Sequence, residues 1–209
     1  MEQRELFPRP ARGMSYGMPC GYTLWNSVSC SPRPVRGMRY RIFWNMKGNE
    51  MKITLLTVGK VKEKFYVQAI GEFTKRLSRY CKLEILEVAD EKTPVGGSGQ
   101  AEEQIRQKEG ERLLKHIRDD AYVISLEIGG KMLDSLEFSR KIEELGIQGT
   151  SHIIFLIGGS LGLGLNVLKR SDFSVSFSKM TFPHQLMRII LLEQIYRGYR
   201  IMAGEPYHK

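Results

Sequence analysis

The chain has 209 residues, of which 42% are hydrophobic, with a formal net charge of +9 and a pI near 9.5. This length indicates one domain, or one domain with an appendage, and no apolar run reaches the roughly 18 residues of a membrane-spanning helix. The positive charge favours an acidic partner, most simply nucleic acid. Cys20, Cys30 and Cys81 form neither a disulfide framework nor a metal-ligand spacing, which favours a reducing cytoplasmic compartment.

The first fifty residues differ from the rest of the chain. They contain both tryptophans, five of the eight prolines, and eight basic residues against three acidic ones, for a net charge of +5. They sustain no period of 2 or 3.6 residues, and they lack the apolar segment of a signal peptide. Two interpretations stay open: a basic arm that binds nucleic acid, or translated upstream sequence before a natural start at Met51. We expect an unstructured extension over residues 1–50 and a functional domain over residues 51–209.

From Met51 onward, strand patterns alternate with helix patterns. Buried strands are predicted at residues 53–58, 83–88, 122–128, 152–157 and 173–177. Helices are predicted at residues 63–80, 101–118, 135–145 and 183–202, and a glycine-rich mobile loop at residues 91–100. The alternation predicts an α/β fold in which a parallel sheet is covered on both faces.

Three local details accompany these elements. In the first helix, Phe65, Ala69, Phe73 and Leu77 recur at spacings of four, so they are expected on one inward face. Ser135 is expected to cap the third helix. The third strand is expected to end at residues 129–131, which read Gly-Gly-Lys.

A glycine cluster follows the fourth strand, with the sequence Gly-Gly-Ser-Leu-Gly-Leu-Gly over residues 158–164. It matches neither the dinucleotide-binding fingerprint nor a phosphate-binding P-loop, which argues against a nucleotide hydrolase. Because glycine has no Cβ, bare backbone can approach a ligand closely here. A tight strand-to-helix turn explains the cluster equally well.

The second candidate segment runs from Ser176 to His184. Pro183 has the backbone φ favoured in the first turn of a helix, and Thr181 or Phe182 would then be the cap. Unpaired N–H groups at such a helix start can bind a polar ligand edge. A well-capped helix with no ligand is the alternative.

The last helix and the tail carry further candidates. Glu193 and Arg197 are four residues apart within an apolar stripe, so we expect them to pair, on a face that contacts a partner subunit or lines a site. His184 and His208 are candidate proton carriers.

These segments together resemble one family. The runs Leu-Ile-Gly-Gly from Leu156, Ser-Phe-Ser-Lys-Met-Thr-Phe-Pro-His from Ser176, Leu-Glu-Gln-Ile-Tyr-Arg from Leu192 and the ending Pro-Tyr-His-Lys are similar to those of the bacterial large-subunit rRNA pseudouridine N3-methyltransferases. This family is a minimal branch of the SPOUT knotted methyltransferases. The resemblance also includes Lys-Glu-Gly-Glu from Lys108 and covers residues 51–209, but none of residues 1–50.

The resemblance implies a parallel-sheet SPOUT fold of five or six strands with a C-terminal trefoil knot, assembled as a cytoplasmic homodimer. It implies S-adenosylmethionine as methyl donor and no metal, since the sulfonium already carries an activated methyl group. Donor contacts would come from backbone-rich segments, namely Leu126, Gly158, Phe177, Ser178, Lys179, Met180, Thr181 and Phe182.

The implied reaction is methylation of N3 of a pseudouridine of the position 1915 type, in helix 69 of 23S rRNA within the assembled ribosome. Catalytic roles would fall to His208, Tyr207 and Arg188, with RNA contacts through Arg197, Arg200 and Lys209. The alternative is a non-enzymatic ribosome-binding protein that uses the same fold as a basic platform. Donor binding discriminates between the two hypotheses.

Overall fold

The computed structural model describes residues 50–92 and 99–206. The predicted extension over residues 1–50, apart from Glu50, and most of the predicted loop at residues 91–100 therefore lie outside the described residues. The described chain alternates strands and helices as expected: β1 Lys52–Val58, α1 Lys64–Leu77, β2 Lys82–Val88, α2 Gly99–Leu114, β3 Tyr122–Met132, α3 Ser135–Ile147, β4 His152–Ile157, α4 Leu165–Arg170, β5 Phe173–Ser176 and α5 His184–Met202.

The five strands form one parallel sheet in the order β2-β1-β4-β3-β5. Every strand pairing is parallel, as the alternation of strands and helices predicts. All carboxyl ends of the strands therefore lie at one edge of the sheet. The central strand β4 is buried along its whole length, which accounts for its uninterrupted apolar run.

The sheet is covered on both faces. Alternate strand residues such as Ile53 and Phe155 point to one face, where α1, α3 and α5 cover them with Leu77, Ile142 and Leu191. The residues between them point to the other face and pack against α2 and α4; the buried members of that cluster are Leu56, Val58, Val88, Leu113, Ala121, Val123, Ile154, Leu156 and Val167. This two-sided burial confirms the predicted doubly covered α/β fold.

Strand β3 does not end at the glycines, as the sequence predicts, but continues to Met132. Its pairing with β5 shifts register between Leu126 and Lys131, so the intervening residues form an irregular bulge. A Cβ on Gly130 would lie 2.7 Å from the backbone carbonyl carbon of Val175. The glycine therefore allows the two backbones to approach rather than ending the strand.

The predicted helix ends are also corrected in four places. Asp134, not Ser135, is the N-cap of α3, and it forms a reciprocal capping box with Glu137. The N-cap of α5 is Pro183, which makes no side-chain cap hydrogen bond, rather than Thr181 or Phe182. Helix α1 ends at Leu77, three residues before the predicted end at residue 80, and α2 ends at Leu114, four residues before the predicted end at residue 118.

The short helix α4 is absent from the sequence-based prediction. It begins directly after Gly164, because the glycine cluster turns the chain from β4 into this helix. A Cβ on Gly164 would meet the backbone oxygen of Arg106 at 2.8 Å, and one on Gly110 would meet Asn166 at 2.4 Å. The two glycines therefore allow α2 and α4 to pack closely.

In the described part of the chain, no helix combines the length and the apolar character needed to cross a membrane.

Candidate active site

A cavity of about 840 Å³ opens at the carboxyl edge of the sheet. Its walls come from three stretches that are far apart in the sequence: residues 126–128 in the middle of β3, the glycine turn after β4, and the segment between β5 and α5. This is the place where open parallel sheets generally bind ligands, and the volume is in the range of small-molecule sites. The lining residues are Arg106, Leu126, Glu127, Ile128, Ile157, Gly158, Gly159, Ser160, Leu161, Gly162, Leu163, Val175, Ser176, Phe177, Ser178, Met180, Thr181, Phe182, Pro183, His184 and Met187.

The first wall is the glycine turn. The backbone N–H of Gly162 donates to the oxygen of Gly159 at 3.1 Å, which closes the turn, and Gly162 has a φ of 83°. A Cβ on Gly158 would lie 2.5 Å from the carbonyl carbon of Gly162 and 2.9 Å from the nitrogen of Leu163. Gly158 is therefore required for the turn to fold back over the end of β4.

A buried carboxyl lies directly behind this turn. Glu109 is 4% exposed, and its Oε1 accepts a hydrogen bond from the backbone N–H of Glu91 at 2.9 Å. A Cβ on Gly159 would lie 3.1 Å from the other oxygen, Oε2. Burial raises the pKa of the Glu109 carboxyl. Glu109 belongs to the motif that begins at Lys108, so its position gives that motif a structural role in supporting the turn.

The second wall is the segment from Phe177 to Pro183. Ser176 Oγ donates to the backbone oxygen of Ser178 at 3.1 Å, and Ser178 Oγ accepts from the backbone N–H of Met180 at 2.9 Å. Phe177 packs on Phe138 of α3 with 6.0 Å between the ring centroids. These contacts fix the conformation of the segment, which has no regular secondary structure. Its backbone groups can therefore face the cavity.

The third wall comes from β3 and α2. Leu126 is the last residue of β3 that pairs with β4, opposite Ile157, and Glu127 and Ile128 continue along the cavity. Arg106 approaches from α2 and forms an ion pair with Glu103 at 2.6 Å. Arg106 and Glu127 were missed by the sequence-based prediction. Glu127 directly follows Leu126 near the predicted end of the third strand, and this position was the available signal for Glu127.

His184 is the first residue of α5 and lines the cavity. Burial lowers the pKa of its imidazole, the nearby Arg188 lowers it further, and Asp90 opposes the effect. The side chain is therefore neutral at pH 7 and able to accept a proton. Of the two histidines considered as proton carriers, His184 lies at the cavity, whereas His208 is outside the described residues.

Arg188 lies beneath the cavity and does not line it. Its side chain is fully buried: Nη1 donates to Glu87 Oε1 at 2.6 Å, and Nη2 donates to the backbone oxygens of Val58 and Gly59 at 2.8 Å each. Burial lowers the pKa of its guanidinium, and the carboxylate of Glu87 opposes that effect. The residue therefore joins α5 to the carboxyl ends of β1 and β2.

Seven of the eight predicted donor-binding residues line this cavity: Leu126, Gly158, Phe177, Ser178, Met180, Thr181 and Phe182. Lys179, the eighth, is exposed and is not among the lining residues within the described chain. The sheet therefore brings together stretches that the sequence places up to about fifty residues apart.

The predicted RNA-binding arginines lie elsewhere. At about 1.5 Å per residue, Arg197 and Arg200 lie about 20 to 24 Å beyond His184 along α5. Arg197 pairs with Glu193 at 2.6 Å, as the spacing predicts, and Arg200 donates to the hydroxyl of Tyr196 at 3.0 Å. Neither contributes to the cavity described in this subunit. Tyr207, His208 and Lys209 lie outside the described residues.

Comparison with known proteins identifies the class of this site. A family model described as "Predicted SPOUT methyltransferase" matches residues 51–208. Three relatives carry the name "Ribosomal RNA large subunit methyltransferase H": those of Bifidobacterium adolescentis, Clostridium tetani and Clostridium kluyveri are 67%, 59% and 57% identical to this chain. Each alignment spans 159 residues, which is 76% of this chain and 100% of the relative. The chain therefore belongs to the SPOUT methyltransferase family.

Proposed function

We propose that this chain is an rRNA methyltransferase that transfers a methyl group from S-adenosylmethionine to N3 of a pseudouridine in helix 69 of 23S rRNA, in the cytoplasm. The observation that carries the proposal is the cavity at the carboxyl edge of the sheet, built from a glycine turn and an irregular segment whose backbone groups are accessible. The relatives named above, which the chain matches over their full length, support an RNA of the large ribosomal subunit as substrate.

The residues of the cavity fit the proposed methyl donor. Leu126, Phe177 and Phe182 offer apolar surface for an adenine ring, and backbone N–H and C=O groups of the turn and the segment offer hydrogen bonds to the adenine edge and the ribose. Because residue 158 has no Cβ, the glycine turn can keep the shape that borders this space. When bound, the donor supplies a sulfonium-activated methyl group.

In the reaction, a bond forms between N3 and the methyl carbon while the carbon–sulfur bond breaks. The imide proton must leave N3 before or during this step, because the nitrogen attacks as an anion. The protein aligns the two partners and stabilises the anionic base. We assign proton removal to His208, assisted by Tyr207, and phosphate contacts to Arg197, Arg200 and Lys209.

Arg188 acts in this proposal as a positioning residue. Its buried guanidinium holds the ends of β1 and α5 together, and His184 on the cavity wall lies one helical turn before it. We therefore assign Arg188 to the support of the cavity and not to direct contact with the reacting groups.

The proposal includes a homodimer with a composite site. Arg197 and Arg200 lie about 20 Å or more from the cavity of their own subunit, at 1.5 Å per residue of helix. Residues 203–206 turn the chain after α5, and the tail that follows carries Tyr207, His208 and Lys209. A partner subunit that packs against α5 would therefore receive these groups at its own cavity.

The proposal also includes a C-terminal trefoil knot. The segment from Phe177 to Pro183 runs from β5 at one edge of the sheet to α5, and on its way it lines the cavity together with residues 126–128 of β3 and the glycine turn after β4. A knot would require this segment to pass through a loop formed by other parts of the chain, a path that is rare among folds.

The decisive experiment is methyl transfer to assembled ribosomes, with the modified nucleotide mapped by mass spectrometry. We expect one N3-methylated pseudouridine in helix 69 and no transfer without the donor. A protein that binds ribosomes but neither titrates with S-adenosylmethionine nor transfers methyl would be the non-enzymatic platform instead.

The composite site is tested by mixing subunits. His208→Ala is expected to lower methyl transfer by about 100-fold or more with little change in donor affinity. Heterodimers of His208→Ala with a Gly158 variant should regain activity through one intact site. If subunits exchange and the mixture stays inactive, tail and cavity belong to the same chain.

A further inference from the structure

The corner between β1 and α1, residues 60–65, presents an unusual surface beside the cavity. Lys60, Lys62 and Lys64 are all exposed, and none of them makes an ion pair with another described residue. Phe65 is 58% exposed, although its spacing in the sequence predicts an inward position. The corner therefore combines three lysines, against the single acidic residue Glu63, with one large exposed aromatic ring.

The corner is held in a fixed position next to the site. The preceding residue, Gly59, is held by Arg188 through its backbone oxygen, and a Cβ on Gly59 would lie 3.9 Å from Nε2 of His184, which lines the cavity. The backbone N–H of Val61 donates to Glu87 Oε1 at 3.2 Å, and Glu87 is also the partner of Arg188. The same buried arginine thus joins α5, whose first residue His184 lines the cavity, to the start of the corner.

The ring of Phe65 contacts the ring of its neighbour, Tyr66. The rings of Phe65 and Tyr66 lie 4.1 Å apart between centroids, while the buried end of α1 is anchored by Leu77. A single exposed apolar side chain is ordinary on a protein surface, so the informative feature here is that three exposed lysines flank the ring. Lysines around an exposed aromatic ring match a polynucleotide, in which phosphates alternate with stackable bases.

We propose that the β1–α1 corner is an RNA-docking surface of this protein, in which the three lysines contact phosphates flanking the target nucleotide and Phe65 stacks on an unpaired base. This inference rests on the proposed function, because it takes rRNA as the substrate of the neighbouring cavity. The corner would contribute RNA contacts from the same subunit whose cavity holds the donor. These contacts would add to those proposed for Arg197 and Arg200 on α5.

The test compares two triple variants that remove the same charge. Lys60→Ala/Lys62→Ala/Lys64→Ala alters the corner, and Lys82→Ala/Lys115→Ala/Lys169→Ala removes three exposed lysines near the opposite, amino end of the sheet. Binding of the full-length protein to ribosomes is measured by co-sedimentation over a range of salt concentrations. Methyl transfer and calorimetric titration with S-adenosylmethionine are measured in parallel.

We expect the corner variant to bind ribosomes about 10- to 100-fold more weakly, and the slope of log affinity against log salt to fall by about 2 to 3, since each phosphate contact contributes about 0.7 to 0.9. The control variant should lose far less ribosome affinity, and its salt slope should fall far less. Donor affinity should stay unchanged in both variants, since none of these lysines lines the cavity. Equal loss in the two variants would overturn the proposal, because it would reflect net charge alone.

The aromatic contribution is tested separately with Phe65→Ser and Phe65→Tyr. Serine should weaken ribosome binding without changing the salt slope, and tyrosine should retain binding because its ring still stacks. A change of oligomeric mass in Phe65→Ser, measured by light scattering, would instead assign the surface to a second copy of the chain and overturn the proposal.

The binding measurement also separates this inference from the proposed function. If the wild type binds ribosomes through the corner but transfers no methyl group, the proposed reaction fails and the docking surface stands. If the wild type methylates ribosomes and the corner variant is unimpaired, the docking surface fails and the reaction stands. If the wild type does not bind ribosomes at all, both fail.

Discussion

At the scale of single residues, the glycine at the end of β4 determines whether the cavity can form. A Cβ on Gly158 would contact the backbone of Gly162 at 2.5 Å, so even alanine must displace the turn, before any contact with a ligand. We expect Gly158→Ala to weaken S-adenosylmethionine binding at least tenfold, equivalent to about 1.4 kcal/mol, in calorimetric titration. The matched control is Gly71→Ala on α1, where a Cβ meets nothing within 4 Å. Equal donor affinity in the two variants would remove Gly158 from the site.

Arg188 shows how a buried charge positions two elements. Its two terminal nitrogens make three hydrogen bonds from one rigid planar fork, a geometry that the single nitrogen of lysine on its flexible stem does not reproduce. We expect Arg188→Lys to lower the free energy of unfolding by about 3 kcal/mol, measured by urea denaturation at fixed protein concentration. A variant that unfolds like the wild type but no longer transfers methyl would show that the guanidinium acts on the substrate directly.

His184 makes the stability of the protein depend on pH. Its pKa is lowered in the folded state, so the unfolded chain takes up the proton first as the pH falls through 6.5. The stabilisation associated with neutral His184 is therefore present above the unfolded-state pKa and is lost as the pH falls below it. We expect the free energy of unfolding to decrease less steeply between about pH 7 and 5 in His184→Gln than in the wild type. An unchanged slope in His184→Gln would show that His184 does not contribute to the pH dependence.

At the scale of elements, the capping box of α3 illustrates how local chemistry sets a helix start. The backbone N–H of Glu137 donates to Asp134 Oδ1 at 2.7 Å, and the backbone N–H of Asp134 donates to Glu137 Oε2 at 2.9 Å. We expect Asp134→Ala to lower the free energy of unfolding by about 1 kcal/mol, while Asp134→Asn retains most of the wild-type value. Urea denaturation of the three proteins measures the difference, and indistinguishable alanine and asparagine variants would contradict the capping role.

The same cap shows why the sequence-based boundary was one residue late. Asp134 and Ser135 are both good cap residues, and only Asp134 has a glutamate three residues later to complete the box. The serine instead donates to Gln194 of α5 at 2.8 Å. That tertiary contact cannot be read from the local pattern.

At the scale of the whole molecule, we expect residues 51–209 to function without the extension over residues 1–50. The family model begins at Met51, a residue that is 1% exposed, and residues 1–50 lie outside it. We expect deletion of residues 1–50 to leave methyl transfer and dimerisation within about twofold of the full chain, equivalent to about 0.5 kcal/mol. Methyl transfer to assembled ribosomes and light scattering measure the two properties. A large loss together with a smaller salt dependence would identify a basic arm that contacts RNA.

The sequence by itself determined the alternation of strands and helices, and it identified two of the three walls of the cavity. Apolar runs such as residues 152–157, and the dense polar and aromatic segment from Ser176, are local features that need no tertiary contact to be recognised. The resemblance to the methyltransferase family added Leu126, because no local pattern in the sequence distinguishes that residue. Strand order, in contrast, depends on contacts between distant segments, so periodicity could not place Leu126, Gly158 and Phe177 around one space.

Only the tertiary structure decided which charged and aromatic side chains are buried. Arg188 is enclosed because α5 crosses the ends of β1 and β2, where Glu87 and two backbone oxygens satisfy its guanidinium. Phe65 is exposed because it lies on the first turn of α1, beyond the part of the helix that Leu77 anchors to the sheet. The physical reason is the same in both cases: the environment of a side chain is set by which element packs over it, and packing is decided between residues far apart in the chain.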